Sequence, residues 1–290
     1  MSGQDGTERI SPTVRLRKVT RRIRQWRSEA GLPLEEVAPR LGWSKSKLGR
    51  YETGDTPIGP AEVMAIATVF GIPEEEREHY VGLAFQARQK GWWQRYGANT
   101  LASNFAEYVG LESEAGHVRE FASDLIPGLL QTENYATDLM NAWIPQASPN
   151  VTRERADLRR QRQQRLHDEQ PVQLSTVIHE SGLRQLVGGA DVMREQLEHL
   201  VTMSELPHVT LQVLPFDAGA VPALGAPFII LSFPDQEDPD VPYTDYLTGC
   251  VYIEDEDEVE SYNLNYSALE QAALTPADSA EFITKLAGEL

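Results

Sequence analysis

The stretch from Leu32 to Tyr51 leaves the chain few options, because two short apolar patterns of helical period follow one another there with a single glycine between them. Pro33 suits the first turn of a helix carrying Val37, Ala38 and Leu41, and Gly42 closes it. Ser44 is a good N-cap for a third helix, Lys45 to Tyr51, with Leu48 and Tyr51 on its inner face. Leu32, Val37, Ala38, Leu41, Leu48 and Tyr51 hold the pair together, and Ser44, Lys45, Ser46, Lys47 and Arg50 are left on the opposite face.

Flanking patterns complete an all-α unit of five helices. Leu16, Val19, Ile23, Trp26 and Ala30 recur at helical spacing, which predicts a helix over about 13–29 ending at Gly31; two more are predicted over about 60–70 and 74–90, the last opened by Glu74, Glu75 and Glu76. Residues 1–12 read as a flexible tail. The formal net charge of -18 argues against nucleic acid until its distribution is considered. From Arg9 to Arg50 there are twelve Lys and Arg against Glu29, Glu35 and Glu36, about +9, whereas everything from Tyr51 onward carries about -25.

Two short helices joined by a tight turn, with short donors and long cations at the start of the second, are what a helix-turn-helix needs to reach base edges and phosphates. The run Ala30-Gly31-Leu32, Glu35-Glu36-Val37-Ala38, Leu41-Gly42, Ser44, Ser46, Leu48, Arg50, Glu52 and Gly54 resembles the xenobiotic-response-element (XRE) class of helix-turn-helix regulators, similar in fold to phage repressors, over about 19–72. Two departures stand out. Pro33 and Leu34 replace the Thr-Gln that many members carry at the start of helix two, and Pro39 lies inside that helix, where it removes one backbone hydrogen bond. DNA contact is expected of Ser44, Lys45, Ser46, Lys47 and Arg50. Thr53 either bonds a phosphate or turns the loop, and Arg21, Arg22 and Arg24, among the basic residues from Arg15 onward, are expected on a phosphate-facing side of helix one.

Gly91 to Asn104 breaks the pattern and reads as a linker, leaving residues 105–290 as a second domain. There the period predicts helices over Phe105–Phe121, Leu129–Trp143, Arg153–Glu169 and Val192–Ser204, strands over Val172–Ile178, Val209–Leu214, Pro227–Phe233 and Val241–Ile253, and helices again from about Asp257. The expectation is an α+β fold with a mainly antiparallel sheet. Pro127-Gly128-Leu129-Leu130-Gln131-Thr132, Arg159-Arg160-Gln161, His179-Glu180, Val187-Gly188-Gly189 and Val213-Leu214-Pro215 resemble an antitoxin-like domain found in a large group of actinobacterial regulators, which implies transcriptional control and a small partner protein encoded nearby.

Several features have a plain reading beside a functional one. The arginines of 153–169 form either a second nucleic-acid surface or a solvated or intersubunit face; Pro127 to Thr132 is a ligand-gripping loop or a packed turn; Glu254 to Glu258 is a dock for a basic partner or a solvated helix start. His179-Glu180 lacks the second His of a zinc-protease helix, Leu183 standing in its place. A lone Cys250 and the absence of a clustered ligand set point to no metal, and no nucleophile, phosphate loop or carboxylate pair has a spacing above chance, so neither enzyme nor cofactor is expected. An enzyme with a DNA-binding head remains the remote alternative. With no apolar span of ~20 residues and a polar start, the chain is expected to be cytoplasmic, on the nucleoid when DNA-bound, and off the membrane. The function expected is that of a sequence-specific regulator, docking residues 44–51 in the major groove as a homodimer and modulated through its second domain by a partner protein or small ligand. The alternative is an antitoxin-like protein whose main role is to bind a small partner.

Overall fold

The structure, a computed structural model, describes residues 12–88, 91–97, 100–101, 103–143, 148–235, 238–247 and 249–290. The expected tail lies outside them except for Pro12, which opens the first helix, and so do residues 89–90 at the expected end of the fifth. The chain divides into two compact units, Met1–Gln94 and Arg95–Leu290, with the division inside the stretch read as a linker; residues 98, 99 and 102 of that stretch are also outside the description.

Five helices build the first unit among its described residues: α1 (Pro12–Glu29), α2 (Leu34–Arg40), α3 (Lys45–Glu52), α4 (Pro60–Val69) and α5 (Glu74–Gln86). On α1, Val19, Ile23 and Trp26 fall at i, i+4 and i+7, and all three are buried against Val37, Leu48, Val63 and Ile66 from the next three helices. A buried indole needs a partner for its N–H. Trp26 Nε1 donates to Glu76 Oε1 at 2.9 Å, and Arg22 Nε reaches the same oxygen at 2.7 Å, so the first turn of α5 is tied to the middle of α1. α2 includes Pro39 and ends one residue later.

The turn between α2 and α3 depends on Gly42, whose φ of +67° puts it in the left-handed region. Its N–H donates to the Pro39 carbonyl at 3.0 Å and the Trp43 N–H to the Ala38 carbonyl at 2.9 Å, which together close α2. A side chain at residue 42 would meet open space, so strain in the backbone is what a substitution adds. Gly42→Ala is expected to cost roughly 1–2 kcal/mol, read as a lower midpoint for chemical unfolding of the first unit; an unchanged midpoint would show that the turn does not need this conformation.

The second unit holds α6 (Ser103–Glu114), β1 (His117–Ala122), α7 (Glu133–Trp143), α8 (Pro149–Gln163), β2 (Gln173–His179), α9 (Glu180–Arg184), α10 (Ala190–Ser204), β3 (Val209–Leu214), β4 (Phe228–Ser232), β5 (Val241–Tyr246), β6 (Gly249–Tyr252), α11 (Glu256–Ala272) and α12 (Pro276–Glu289). The six strands form one sheet in the order β3-β2-β1-β4-β5-β6. It is α+β as expected, but the sheet is mixed, which corrects the expectation of a mainly antiparallel one: β1 pairs parallel with β2 and β2 with β3, while β1–β4, β4–β5 and β5–β6 are antiparallel. The physical reason is the helical crossovers α7–α8 and α9–α10, each of which returns the chain to the same end of the sheet.

Two further corrections lie behind that one. The helix expected over Phe105–Phe121 stops at Glu114, because Gly116 is already bonded between two strands of the sheet: its N–H donates to the Ser232 carbonyl at 2.8 Å and its carbonyl accepts from Gln173 at 2.9 Å. The strand expected over Val241–Ile253 is a hairpin of two. One face of the sheet packs Phe121, Val177, Leu214, Phe228 and Ile230 against Tyr266 and Leu269 of α11.

Candidate nucleic-acid interface

α3 is positioned from beneath and trimmed from above. Leu48 and Tyr51 are buried in the core of the first unit, which fixes the rotation of the helix. At its start the Ser44 hydroxyl accepts the Lys47 N–H at 3.1 Å, as an N-cap should. At its end the buried Glu52 carboxylate grips Arg27 of α1 through bonds of 2.7 to 3.1 Å, and Arg27 Nη1 also reaches the Leu32 carbonyl at 3.1 Å. The Glu52 bonds hold the Arg27 guanidinium above its ordinary pKa, overriding the opposing effect of burial. These ties leave Ser44, Lys45, Ser46 and Arg50 exposed on one side of α3, with Lys47 half-buried beside them.

The expected contact residues differ in how committed they are. Lys45 is ion-paired with Glu35 of α2, both side chains exposed, and its hydrogen bond holds the Glu35 carboxyl below the usual range. The Lys47 ammonium lies 4.4 Å from the centre of the Trp43 ring and 5.7 Å from that of Tyr51. Thr53 donates to the Gly49 carbonyl at 3.1 Å and to Asp55 Oδ2 at 2.7 Å, which serves the loop. Ser46 and Arg50 make no side-chain hydrogen bond or ion pair among the described residues. On α1, Arg24 is exposed and Arg21 half-buried, whereas Arg22 is bound to Glu76 and, at 3.0 Å, to Glu29. Burial pushes the Glu76 carboxyl up, and the bonds from Trp26 and Arg22 outweigh it and leave it below its ordinary value. The structure thus gives Arg22 a holding role that its place in a basic run did not announce.

Comparison with known families gives two matches. A family model described as a helix-turn-helix domain matches residues 19–80. A second, described as a domain of unknown function (DUF5753), matches residues 105–285, more than half of the chain. The chain belongs to the DUF5753 family. Neither the curated proteins nor the solved structures gave a match. The helix-turn-helix match supports DNA binding and regulation of transcription; among the described residues no helix is long and apolar enough to cross a membrane.

Inside the DUF5753 domain the features singled out from the sequence turn out to be mostly holding devices. Arg162 of α8 is 8% exposed and forms a two-pronged pair with Glu112 of α6, 3% exposed, at 2.7 Å for each prong; Arg165 donates to the Ala115 carbonyl at 2.8 Å, and Arg159 to Gln131. These arginines turn inward, and the sequence signal that could have shown it is their spacing of three, which sets them on one helix face. The loop at Pro127 to Thr132 is a short 3-10 turn pinned by glutamines: Gln163 donates to the Gly128 and Gln131 carbonyls, and Gln196 both accepts from Thr132 and donates to Leu130. His179 caps α9 and Glu180 binds Arg184 and the Phe216 N–H. Asp255, in the acidic run, caps α11 by accepting the Glu258 N–H at 3.2 Å.

Proposed function

We propose that the chain is a sequence-specific regulator that lays α3 in the major groove of operator DNA, with Ser46 and Arg50 reading bases and Lys45, Lys47 and Arg24 set toward phosphates. The observation that carries this reading is the division of α3, whose Leu48 and Tyr51 face is buried while Ser46 and Arg50 stand exposed with no side-chain hydrogen bond or ion pair among the described residues. A side chain already held in one rotamer by an ion pair has to give that pair up to meet DNA, and these two do not. Lys45 exchanges an exposed carboxylate for a phosphate, a swap of like interactions. A single module of this size reads too few base pairs for much specificity, so two copies on a palindrome, with half-sites about 34–36 Å apart, are the expected arrangement. The DUF5753 domain then carries the signal that modulates binding.

Selection of bound fragments from random duplex DNA tests this, repeated at about 50 and 200 mM salt. A palindromic site with a steep loss of affinity at the higher salt is the expected result. Recovery of no preferred sequence at either salt would remove the reading, and a preferred but asymmetric site would remove the homodimer alone.

A further inference from the structure

A partly open cleft of about 70 Å³ lies between α7 and α8, where the chain runs from Gln131 into α7. That is several times the space one water needs. Ala136 and Met140 of α7 and Ala156 of α8 give it an apolar wall, while Thr132, Thr137, Arg159 and Arg160 bring polar groups to it.

Donors outnumber acceptors among those polar groups. A guanidinium has five N–H donors; Arg159, which keeps partial exposure, gives one to Gln131 and forms no ion pair among the described residues. Arg160 is exposed and makes no side-chain hydrogen bond or ion pair among them. The Thr132 hydroxyl accepts the Tyr135 N–H at 3.3 Å and donates to no described residue, and the Thr137 hydroxyl bonds to none. Glu133, an exposed residue, is the acid among those lining the cleft, so two guanidinium charges stand against one carboxylate.

The carboxyls nearer the interior do not make up the difference. Glu112 and Glu120 act on Arg159 through space, but Glu112 is gripped by Arg162, and burial lifts the Glu120 carboxyl to about 8, so that it is largely protonated at neutral pH. Burial and the like charge of Arg162 draw the Arg159 guanidinium down to about 10. A desolvated cation without a bonded counter-charge is costly, and an anion brought to it removes that cost.

We propose that the cleft binds a small aliphatic carboxylate, its oxygens taking N–H groups of Arg159 and the hydroxyl of Thr132, and its tail laid against Ala136, Met140 and Ala156. The planar fork of a guanidinium matches a carboxylate with two parallel bonds. The apolar wall selects a tailed acid over inorganic phosphate, which has only polar oxygens to offer it. Binding stands apart from the DNA-binding reading; only its consequence, a signal to the helix-turn-helix, rests on that reading.

Calorimetry on the full chain without DNA tests this with butyrate as the probe and acetate, butylamine and inorganic phosphate beside it. Saturable binding of butyrate is expected, roughly tenfold tighter than that of acetate because two further methylenes leave water. In a carbon-13 methyl spectrum the Met140 resonance, identified with Met140→Leu, should move as butyrate saturates. Arg159→Met should weaken butyrate at least tenfold. Because Arg159 also ties Gln131, Ala156→Leu provides a second variant: it fills the cleft without removing a hydrogen bond, and should abolish binding while melting close to wild type. The proposal falls if no carboxylate binds, if butylamine or phosphate binds as well as butyrate does, or if either variant, folded as judged by its melting, binds butyrate as wild type does.

Discussion

A chain carrying Ser46→Ala and Arg50→Ala together is expected to bind its selected operator roughly a hundredfold more weakly than wild type, and to unfold at the same denaturant concentration. Each good contact to a base edge contributes about 1–3 kcal/mol of discrimination, and two lost contacts reach a hundredfold near the lower end of that range. Stability is untouched because neither side chain has a partner to lose among the described residues, and exposed substitutions of this kind stay within about 0.5 kcal/mol. Arg22→Ala is the contrast. It breaks the bond to Glu76 that also positions Trp26, so it should lower the unfolding midpoint with only a small effect on DNA affinity measured on the folded protein. Titration of a labelled operator beside urea unfolding checks both, and an Arg50 variant that loses stability but keeps its affinity would reverse the assignment of roles.

The largest effect on stability is expected at Arg162. Truncation to Ala strands the Glu112 carboxylate in a place where only 3% of its side chain is exposed, with Tyr108 still donating to it at 2.7 Å. Leaving one half of a buried pair costs about 3–5 kcal/mol. At about 2–4 °C per kcal/mol for a unit of this size, the second transition should melt some 6–20 °C lower. Arg162 also stacks over Phe105 and Tyr108, with its guanidinium carbon 5.2 and 5.4 Å from their ring centres, so part of the loss is packing. Removing the charges together, Glu112→Leu with Arg162→Met, should recover most of it, because the desolvation burden disappears with the pair. Equal melting of the single and double variants would mean that the contact with the rings, and not the charge, is what matters.

How far the fold could be read from the sequence follows from how local its causes are. In the first unit each decision is made within a few residues: Val19, Ile23 and Trp26 repeat at helical spacing, Gly42 ends one helix, and Ser44 begins the next. In the second unit β3 was legible because Val209, Leu211 and Val213 alternate with polar neighbours. β1 was not, since its His-Val-Arg-Glu-Phe-Ala carries no such alternation and owes its extended form to β2 and β4, with Val118 paired to Leu174 on one side and Leu231 on the other. The helix expected over Phe105–Phe121 also hid that Glu120 falls on an interior strand of the sheet. The contact face of α3 was legible as a set, but which cations are engaged was not: Glu35 and Glu76 come to Lys45 and Arg22 from other helices, and the Trp43 ring reaches Lys47 from the turn that precedes α3.

The position of β1 at the junction of the parallel and antiparallel halves has a consequence for how the chain is made. Every helix of the first unit has left the ribosome before β1 emerges, whereas β1 must wait for residues beyond 228 before its second edge is covered. A message cut short in that interval yields a polypeptide with the elements of its DNA-binding head complete and one naked strand edge behind it. Such an edge pairs readily with another like it, so nonsense changes between β3 and β4 are predicted to produce insoluble, operator-seeking aggregates, and not merely an absent protein.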